Sequence, residues 1–376
     1  MISTQYRIYP KKLEEEKLEF SLDMCRIAYN YLLERLNNNV RGRTALAHSL
    51  LALKRKDKRF EDVYSKAVQP QCDKLCFNLR ALSQLKKKGH KVGRLRFKGK
   101  GWFNTFSYNQ SGFKIFDVHG KKGILHLSKI GDMQIKLHRE VQGNIKQITL
   151  KKSCGKWYAI VVSDANPQRK HGKKHIGIDL GLTNYIMRSD GKRISHPKIF
   201  EKYRVKLKKA QQNLSRKKKG SSNRMKARLQ VKKIHTKILN ARNDFLHKLS
   251  AQLVSECKII TFENLNIKGL IQIQRNALNI CDASWGKLVQ MTSYKAENAG
   301  CEVRTINPRH TSMTCHVCGN IQKMPLTQRR YNCVKCGLRM DRDLNSAKQI
   351  KLKGKELAYV EGMSDNSNGT AILCET

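Results

Sequence analysis

The stretch HIGIDLGLTN, residues 175–184, alternates apolar and small or acidic side chains with the period of a β-strand. Ile176, Ile178 and Leu180 fall on one face; Gly177, Asp179 and Gly181 fall on the other. An acid flanked by two residues without side chains can be approached closely by a bulky group such as a phosphodiester. Equally, Asp179 can be a strand-end acid in a turn. Outward from this strand the pattern is α/β. A hairpin is expected over Tyr185–Ile194 around Ser189, Asp190 and Gly191, followed by a long basic helical stretch. There Val231, Ile234, Ile238, Ala241 and Phe245 keep helical spacing, with Lys and Arg on the other faces, and GSSN at 220–223 separates two helices packed as a hairpin. A second apolar strand, IITFEN at 259–264, carries Glu263 at the equivalent edge of a parallel sheet, where sites of open α/β folds gather. A helix from about Ser284 to Asn298 and a strand over Glu302–Ile306 complete the pattern.

Upstream, a short strand from Gln5 to Ile8 ends at Pro10, and Leu18, Leu22, Cys25, Tyr29, Leu32 and Leu36 then recur at helical spacing. Helical patterns continue to about Lys88. From Arg94 to about Asp164, alternating apolar residues with Gly, Asn and Asp turns predict a small antiparallel sheet or barrel. The aromatics of GWFNTFSYN, residues 101–109, can stack on bases or fill that barrel's core. NPQRKHGKK at 166–174 reads as a linker, and residues beyond about Lys353 as a polar, disordered tail.

The chain of 376 residues carries 76 Lys and Arg against 29 Asp and Glu, a net charge of +47. A small domain needs only about 2 to 8 charges for solubility, so even scaled to this length the surplus calls for a polyanion, and nucleic acid is the favoured partner. No apolar run is long enough to span a membrane, and the charge is spread along the whole chain instead of being gathered on one amphipathic helix. The start MISTQYRIYPKK lacks the apolar core of a signal peptide, so a reducing compartment is expected. Of the 12 cysteines, Cys25, Cys72, Cys76, Cys154, Cys257, Cys281, Cys301 and Cys374 are scattered and read as small apolar residues.

The remaining four are paired. Cys315 and Cys318, then Cys333 and Cys336, form two C-x2-C knuckles 14 residues apart, each followed by a glycine. Four thiolates at that spacing complete a closed tetrahedral Zn2+ site of structural type; a redox dithiol is disfavoured because the pairs match. His316, between two ligands, is expected outside the coordination sphere.

Two acids follow, Asp341 and Asp343, and a helical stretch LNSAKQIK after them favours an ionised carboxylate at its start. Residues two apart cannot easily share one helical face, and Asp343 is the better candidate; it can also be a simple N-cap. Three carboxylates at about 4 Å would repel by roughly 4 kcal/mol per pair at an effective dielectric near 20. Divalent cations reverse that sign, and two Mg2+ or Mn2+ ions could support in-line phosphodiester cleavage.

GIDLGLTN at 177–184, LHKLS at 246–250, FENLNIKGL at 262–270, DASWG at 282–286, PRHTSMTCHVCG at 308–319 and CGLRMDRDLNSA at 336–347 resemble, in this order, the TnpB family of insertion-sequence proteins related to type V CRISPR effectors. RIYP at 7–10 and RFKGKG at 96–101 fit as well; Ser346, where Ala is usual, and Met340 depart from the pattern. The resemblance implies an α/β RNase H-like (RuvC) nuclease domain over 171–308 and 338–353, a zinc ribbon inserted at 309–337, a wedge-like β-barrel domain over 1–10 and 94–170, and a helical recognition domain over 11–93, with the tail at 354–376. It implies Asp179, Glu263 and Asp343 as the catalytic, Mg2+-binding acids. It also implies a guide RNA from the transposon end and double-stranded target DNA cut beside a short transposon-adjacent motif. A bacterial or archaeal cytoplasmic, nucleoid-associated protein follows. Arg216, Lys217, Lys218 and Lys219 near the helical turn, with Arg309, are candidate nucleic-acid contacts; the run at the turn can also be a solvated face. Alternative activities are a nuclease-inactive RNA-guided DNA-binding repressor and an RNase H-fold transposase.

Overall fold

Apolar residues at three- and four-residue spacing build the first helix, and strict alternation builds the strands that follow it. The computed structural model describes residues 1–165, 170–272, 276–325 and 327–367, with side chains to residue 356. Residues 166–169 of the expected linker, the last nine residues of the tail and Cys374 lie outside the described residues. The chain divides into two units, Met1–Asn166 and Pro167–Thr376.

The first unit opens with β1 (Ile2–Tyr9) and continues through α1 (Lys12–Asn37), α2 (Arg43–Lys56), a short 3-10 turn, α3 (Ser65–Val68) and α4 (Pro70–Lys87). Leu18, Cys25, Ala28, Tyr29, Leu32 and Leu36 form the buried stripe of α1, and Pro70 starts α4 where its missing N–H costs nothing. Six more strands follow: β2 (Thr105–Asn109), β3 (Phe113–His119), β4 (Lys122–Leu127), β5 (Gly131–Lys136), β6 (Ile145–Ser153) and β7 (Lys156–Ser163). They join β1 in one antiparallel sheet, ordered β2-β6-β7-β1-β5-β4-β3. β2 and β3 remain edges, so the expected barrel takes the form of an open seven-stranded sheet. Of the aromatics at 101–109, Phe103, Phe106 and Tyr108 are in the core and Trp102 is exposed.

The second unit contains β8 (Lys174–Leu180), β9 (Asn184–Arg188), β10 (Arg193–Ser195), α5 (Ile199–Ser215), α6 (Ser222–Glu256), β11 (Cys257–Glu263), α7 (Ile267–Gln272), α8 (Ala277–Ala283), α9 (Trp285–Glu297), β12 (Glu302–Ile306), β13 (Arg330–Asn332), β14 (Arg339–Asp341) and α10 (Arg342–Ser367). Five strands form a mixed sheet ordered β10-β9-β8-β11-β12, with β11 parallel to both β8 and β12 and β9 antiparallel to β8. One face presents Ile176, Ile178, Ile260 and Phe262 to a core shared with Leu246, Leu249 and Leu253 of α6 and Leu288 of α9. The other face carries α10, which crosses the glycine face of β8. A Cβ at position 177 would collide with the Ala347 carbonyl and the Lys351 nitrogen, and one at position 354 with the Thr261 side chain. Gly177 is therefore consumed by helix packing, and the open approach for a phosphodiester expected at this residue is filled by α10.

α10 runs on to Ser367, past the residue where disorder is expected to begin. Its Lys, Leu, Glu and Ala content up to residue 358 favours helix over coil. Among the scattered cysteines, Cys25, Cys72, Cys257 and Cys301 are buried, Cys76 and Cys154 partly so, and Cys281 is exposed, which corrects its apolar reading. No helix among the described residues is long and apolar enough to cross a membrane.

Candidate active site and metal centre

Parallel pairing of β8 with β11 sets the first two acids. Phe262 is in register with Ile178, so the next residues, Glu263 and Asp179, stand at neighbouring places near the C-terminal ends of adjacent strands. The third acid comes from the first turn of α10, beside the same strands. Asp341 and Asp343 have separate tasks. Asp341 Oδ1 accepts the backbone N–H of Leu344 at 3.1 Å, which makes Asp341 the N-cap of α10, and its Oδ2 pairs with Arg193 at 3.2 Å. Asp343, one position inside the helix, is freed from capping. Its Oδ2 accepts from Asn184 at 3.4 Å, and Arg329 stands 3.9 Å from its Oδ1.

Asp179 stands in the field of both other acids. Asp179 keeps part of its surface open, yet protein surrounds it deeply enough that lost hydration raises its pKa well above the usual carboxylate range. The charges of Glu263 and Asp343 raise it further, and Arg342 opposes them. Glu263, 8% exposed, is also raised, by burial first; a hydrogen bond from Thr311 and the charge of Lys353 pull the other way. A buried carboxylate raised by two neighbouring acids, as Asp179 is, is the condition a divalent cation relieves, and an all-oxygen carboxylate set suits Mg2+ or Mn2+. The residues present therefore fit such ions.

The thiols form the second centre. The Sγ atoms of Cys315, Cys318, Cys333 and Cys336 all lie within 4.8 Å of one another, and among the described residues this is the one group of metal-ligating side chains that closes to that spacing; the acids stand wider. Cys315 and Cys336 are 3.7 Å apart, and Cys318 and Cys333 3.5 Å. Four sulfurs around one zinc at about 2.3 Å stand about 3.8 Å apart, so the set fits a tetrahedral Zn2+. Each knuckle is shaped by its glycine: Gly319 and Gly337 adopt φ of 72° and 71° and return their N–H groups to Cys315 and Cys333. The Cys333 thiol is lowered to about 6, chiefly by the backbone N–H of Cys336.

His316 faces away from the sulfurs and toward α10. Its backbone N–H donates to Asn345 Oδ1 at 3.1 Å, and its ring Nδ1 lies 2.9 Å from the same oxygen. The Asn345 amide donates to the Thr314 carbonyl at 2.8 Å. Asn345 is fully buried and two residues beyond Asp343, so the ribbon is fastened to the helix that carries the third acid. Asn345, Thr311 and Asn184 are contacts that sequence reasoning missed. Each is a lone polar residue in a loop, strand or helix, without periodicity or charge to mark it.

The basic candidates lie outside this cluster. Arg216, Lys218 and Lys219 are exposed at the turn between α5 and α6, while Lys217 is partly covered. Arg224 fastens the turn by donating to the carbonyls of Leu214 and Lys217 at 3.0 and 2.8 Å. At the foot of the hairpin, buried Asp282 accepts the backbone N–H of Phe200 and the guanidinium of Arg242, joining α5, α6 and α8. Arg309 is exposed on the segment leading to the ribbon, where its carbonyl accepts Lys353 Nζ at 2.9 Å.

Comparison with known proteins gives three family models. One described as "Probable transposase" matches residues 158–274, a Cas12f1-like TNB domain matches 285–350, and a helix-turn-helix domain matches 1–43. A relative from Streptomyces pristinaespiralis named "Putative RNA-guided DNA endonuclease" is 31% identical over 93% of this chain and 88% of its own. One from Escherichia coli (strain K12), "Putative RNA-guided DNA endonuclease InsQ", is 28% identical over 69% of this chain and 68% of its own. Among solved structures, the Cas12f1 protein of a complex with sgRNA and target DNA superposes with a TM-score of 0.59 at 16% identity, over 91% of this chain and 83% of that one, a likeness of fold.

Proposed function

Because the chain belongs to the TnpB family, as its 31% identity across nearly its whole length to one relative establishes, we propose that it is an RNA-guided DNA endonuclease. The observation that carries the proposal is the convergence of Asp179, Glu263 and Asp343 from two parallel strands and one helix, with their charges raising Asp179. In this reading the three acids hold Mg2+ or Mn2+, which when bound would lower the pKa of an attacking water and stabilise the leaving oxygen. Asp343 serves from the first turn of α10, the positive end of that helix's dipole. Glu263 is held by Thr311 and faces the charge of Lys353. The four thiolates take structural Zn2+ and keep the ribbon folded against α10.

Guide RNA from the transposon end and a double-stranded DNA target next to a short adjacent motif are the partners that suit this site and the net charge of +47. The exposed cations of the α5–α6 turn and Arg309 would track phosphates. The expected domain limits, including the wedge-like domain over 1–10 and 94–170 and the recognition helices over 11–93, belong to the same proposal. The test is to purify the protein with the RNA it carries, sequence that RNA, and offer a plasmid bearing the matching sequence. Mg2+-dependent double-strand breaks are expected. Tight, RNA-directed binding without breaks would instead support the repressor reading, and joined donor and target strands the transposase.

A further inference from the structure

Thr311 lies between β12 and the first cysteine pair, and it is almost wholly buried, 4% exposed. Its hydroxyl stands 2.5 Å from Glu263 Oε1 and 2.9 Å from the Pro308 carbonyl. A hydroxyl carries one proton, and a carboxyl oxygen of Glu263 is the nearer of these two acceptors, so Thr311 donates to Glu263. The segment that carries Thr311 is itself fastened on several sides. The backbone N–H groups of Met313 and Thr314 donate to the His310 carbonyl at 3.1 and 3.0 Å, and Lys353 of α10 donates to the Arg309 carbonyl. Two residues beyond Met313, the ribbon begins its zinc knuckle, and Asn345 of α10 grips Thr314 and His316. A hydroxyl so placed has little freedom to follow Glu263; Glu263 must follow it.

We propose that Thr311 is a positioning residue for the acid site: its hydroxyl fixes the Glu263 carboxylate in the orientation that faces a divalent cation, and the ribbon, clamped to α10 through Asn345, fixes Thr311. This rests on the reading of Asp179, Glu263 and Asp343 as cation ligands. The ribbon thereby acts on the acid site through a defined hydrogen bond as well as by holding the chain together. Groups that orient a metal-ligating carboxylate typically contribute about 10- to 100-fold to metal affinity.

The experiment measures Mn2+ binding to the full chain, freed of nucleic acid, from the paramagnetic resonance of unbound Mn2+, with Asp179→Ala as the blank. Thr311→Val keeps the shape and removes the donor; Thr311→Ser keeps the donor. The Asp179-dependent binding is expected to weaken about 10- to 100-fold in Thr311→Val and to return to within about threefold of the parent in Thr311→Ser, while bound zinc stays at one per chain in both. Should Thr311→Val lose its zinc and its cooperative melting, Thr311→Ala is read in its place with the same expectation. Asp179-dependent binding unchanged by loss of the hydroxyl overturns the positioning role and leaves the acid site standing. Binding in the parent that Asp179→Ala does not diminish overturns the acid site, and this inference with it.

Discussion

Two acids stand two residues apart at the start of α10, and the backbone distinguishes them. Asp341 gives its carboxylate to the Leu344 N–H, so Asp341→Ala should cost about 1 kcal/mol of stability and leave cleavage within about tenfold of the parent. Asp343 does no capping, and Asp343→Ala should leave stability nearly unchanged while slowing cleavage at least about a thousandfold. Urea unfolding paired with single-turnover cleavage separates the two. Asp179 adds a pH signature. Its pKa is raised in the folded protein, so above the usual carboxylate range of about 4 the unfolded chain releases a proton that the metal-free folded chain retains, and stability falls as pH rises through that window toward the raised value. Asp179→Asn should therefore raise the melting temperature of the metal-free protein at neutral pH, with the gain vanishing below about pH 4. Calorimetry at pH 3.5 and pH 7 checks it; an equal effect at both would contradict the shift. The sequence marks acids and thiols because each is rare and chemically distinct in so basic a chain. It is silent on Thr311, Asn184 and Asn345, whose roles exist only once distant segments meet.

Strand and helix periods are local properties, and that is why β8, β11, α6 and the α5–α6 turn can be read from the sequence. What crosses over a strand is not local. Gly177 offers the same bare face to a ligand or to a helix, and the α10 backbone occupies it. Gly177→Ala should accordingly destabilise the second unit by about 1–3 kcal/mol through overpacking, read as a lower urea midpoint with unchanged slope. The open sheet of the first unit illustrates the same limit: alternation specifies strands, but whether the outermost pair joins depends on register between segments far apart in the chain. The extent of α10 beyond Lys353 is likewise hidden, since that segment's polar composition suits either a tail or an exposed helix. For the ribbon, Cys333→Ser should lower bound zinc below one per chain and loosen the Asn345 contacts that hold α10. Metal analysis together with hydrogen exchange over residues 342–350 measures both.

At the scale of the whole molecule, a net charge of +47 makes any nucleic-acid complex strongly dependent on salt. Residues 199–243, which hold the α5–α6 turn, contain sixteen Lys and Arg and the single acid Glu201, so part of that dependence should reside there. Replacing Arg216, Lys218 and Lys219 together by Ala should weaken binding and lower the slope of log affinity against log salt by up to about 3, about one for each phosphate no longer neutralised. Lys217 is left in place because its side chain is only partly exposed. The most direct measurement of the central claim is single-turnover cleavage, in Mg2+, of a supercoiled plasmid matching the co-purified RNA, by the parent and by Asp179→Ala, Glu263→Gln and Asp343→Ala. The account predicts that each variant binds the target as tightly as the parent and cuts at least about a thousandfold more slowly. Cutting by any of the three at the parent's rate would contradict it.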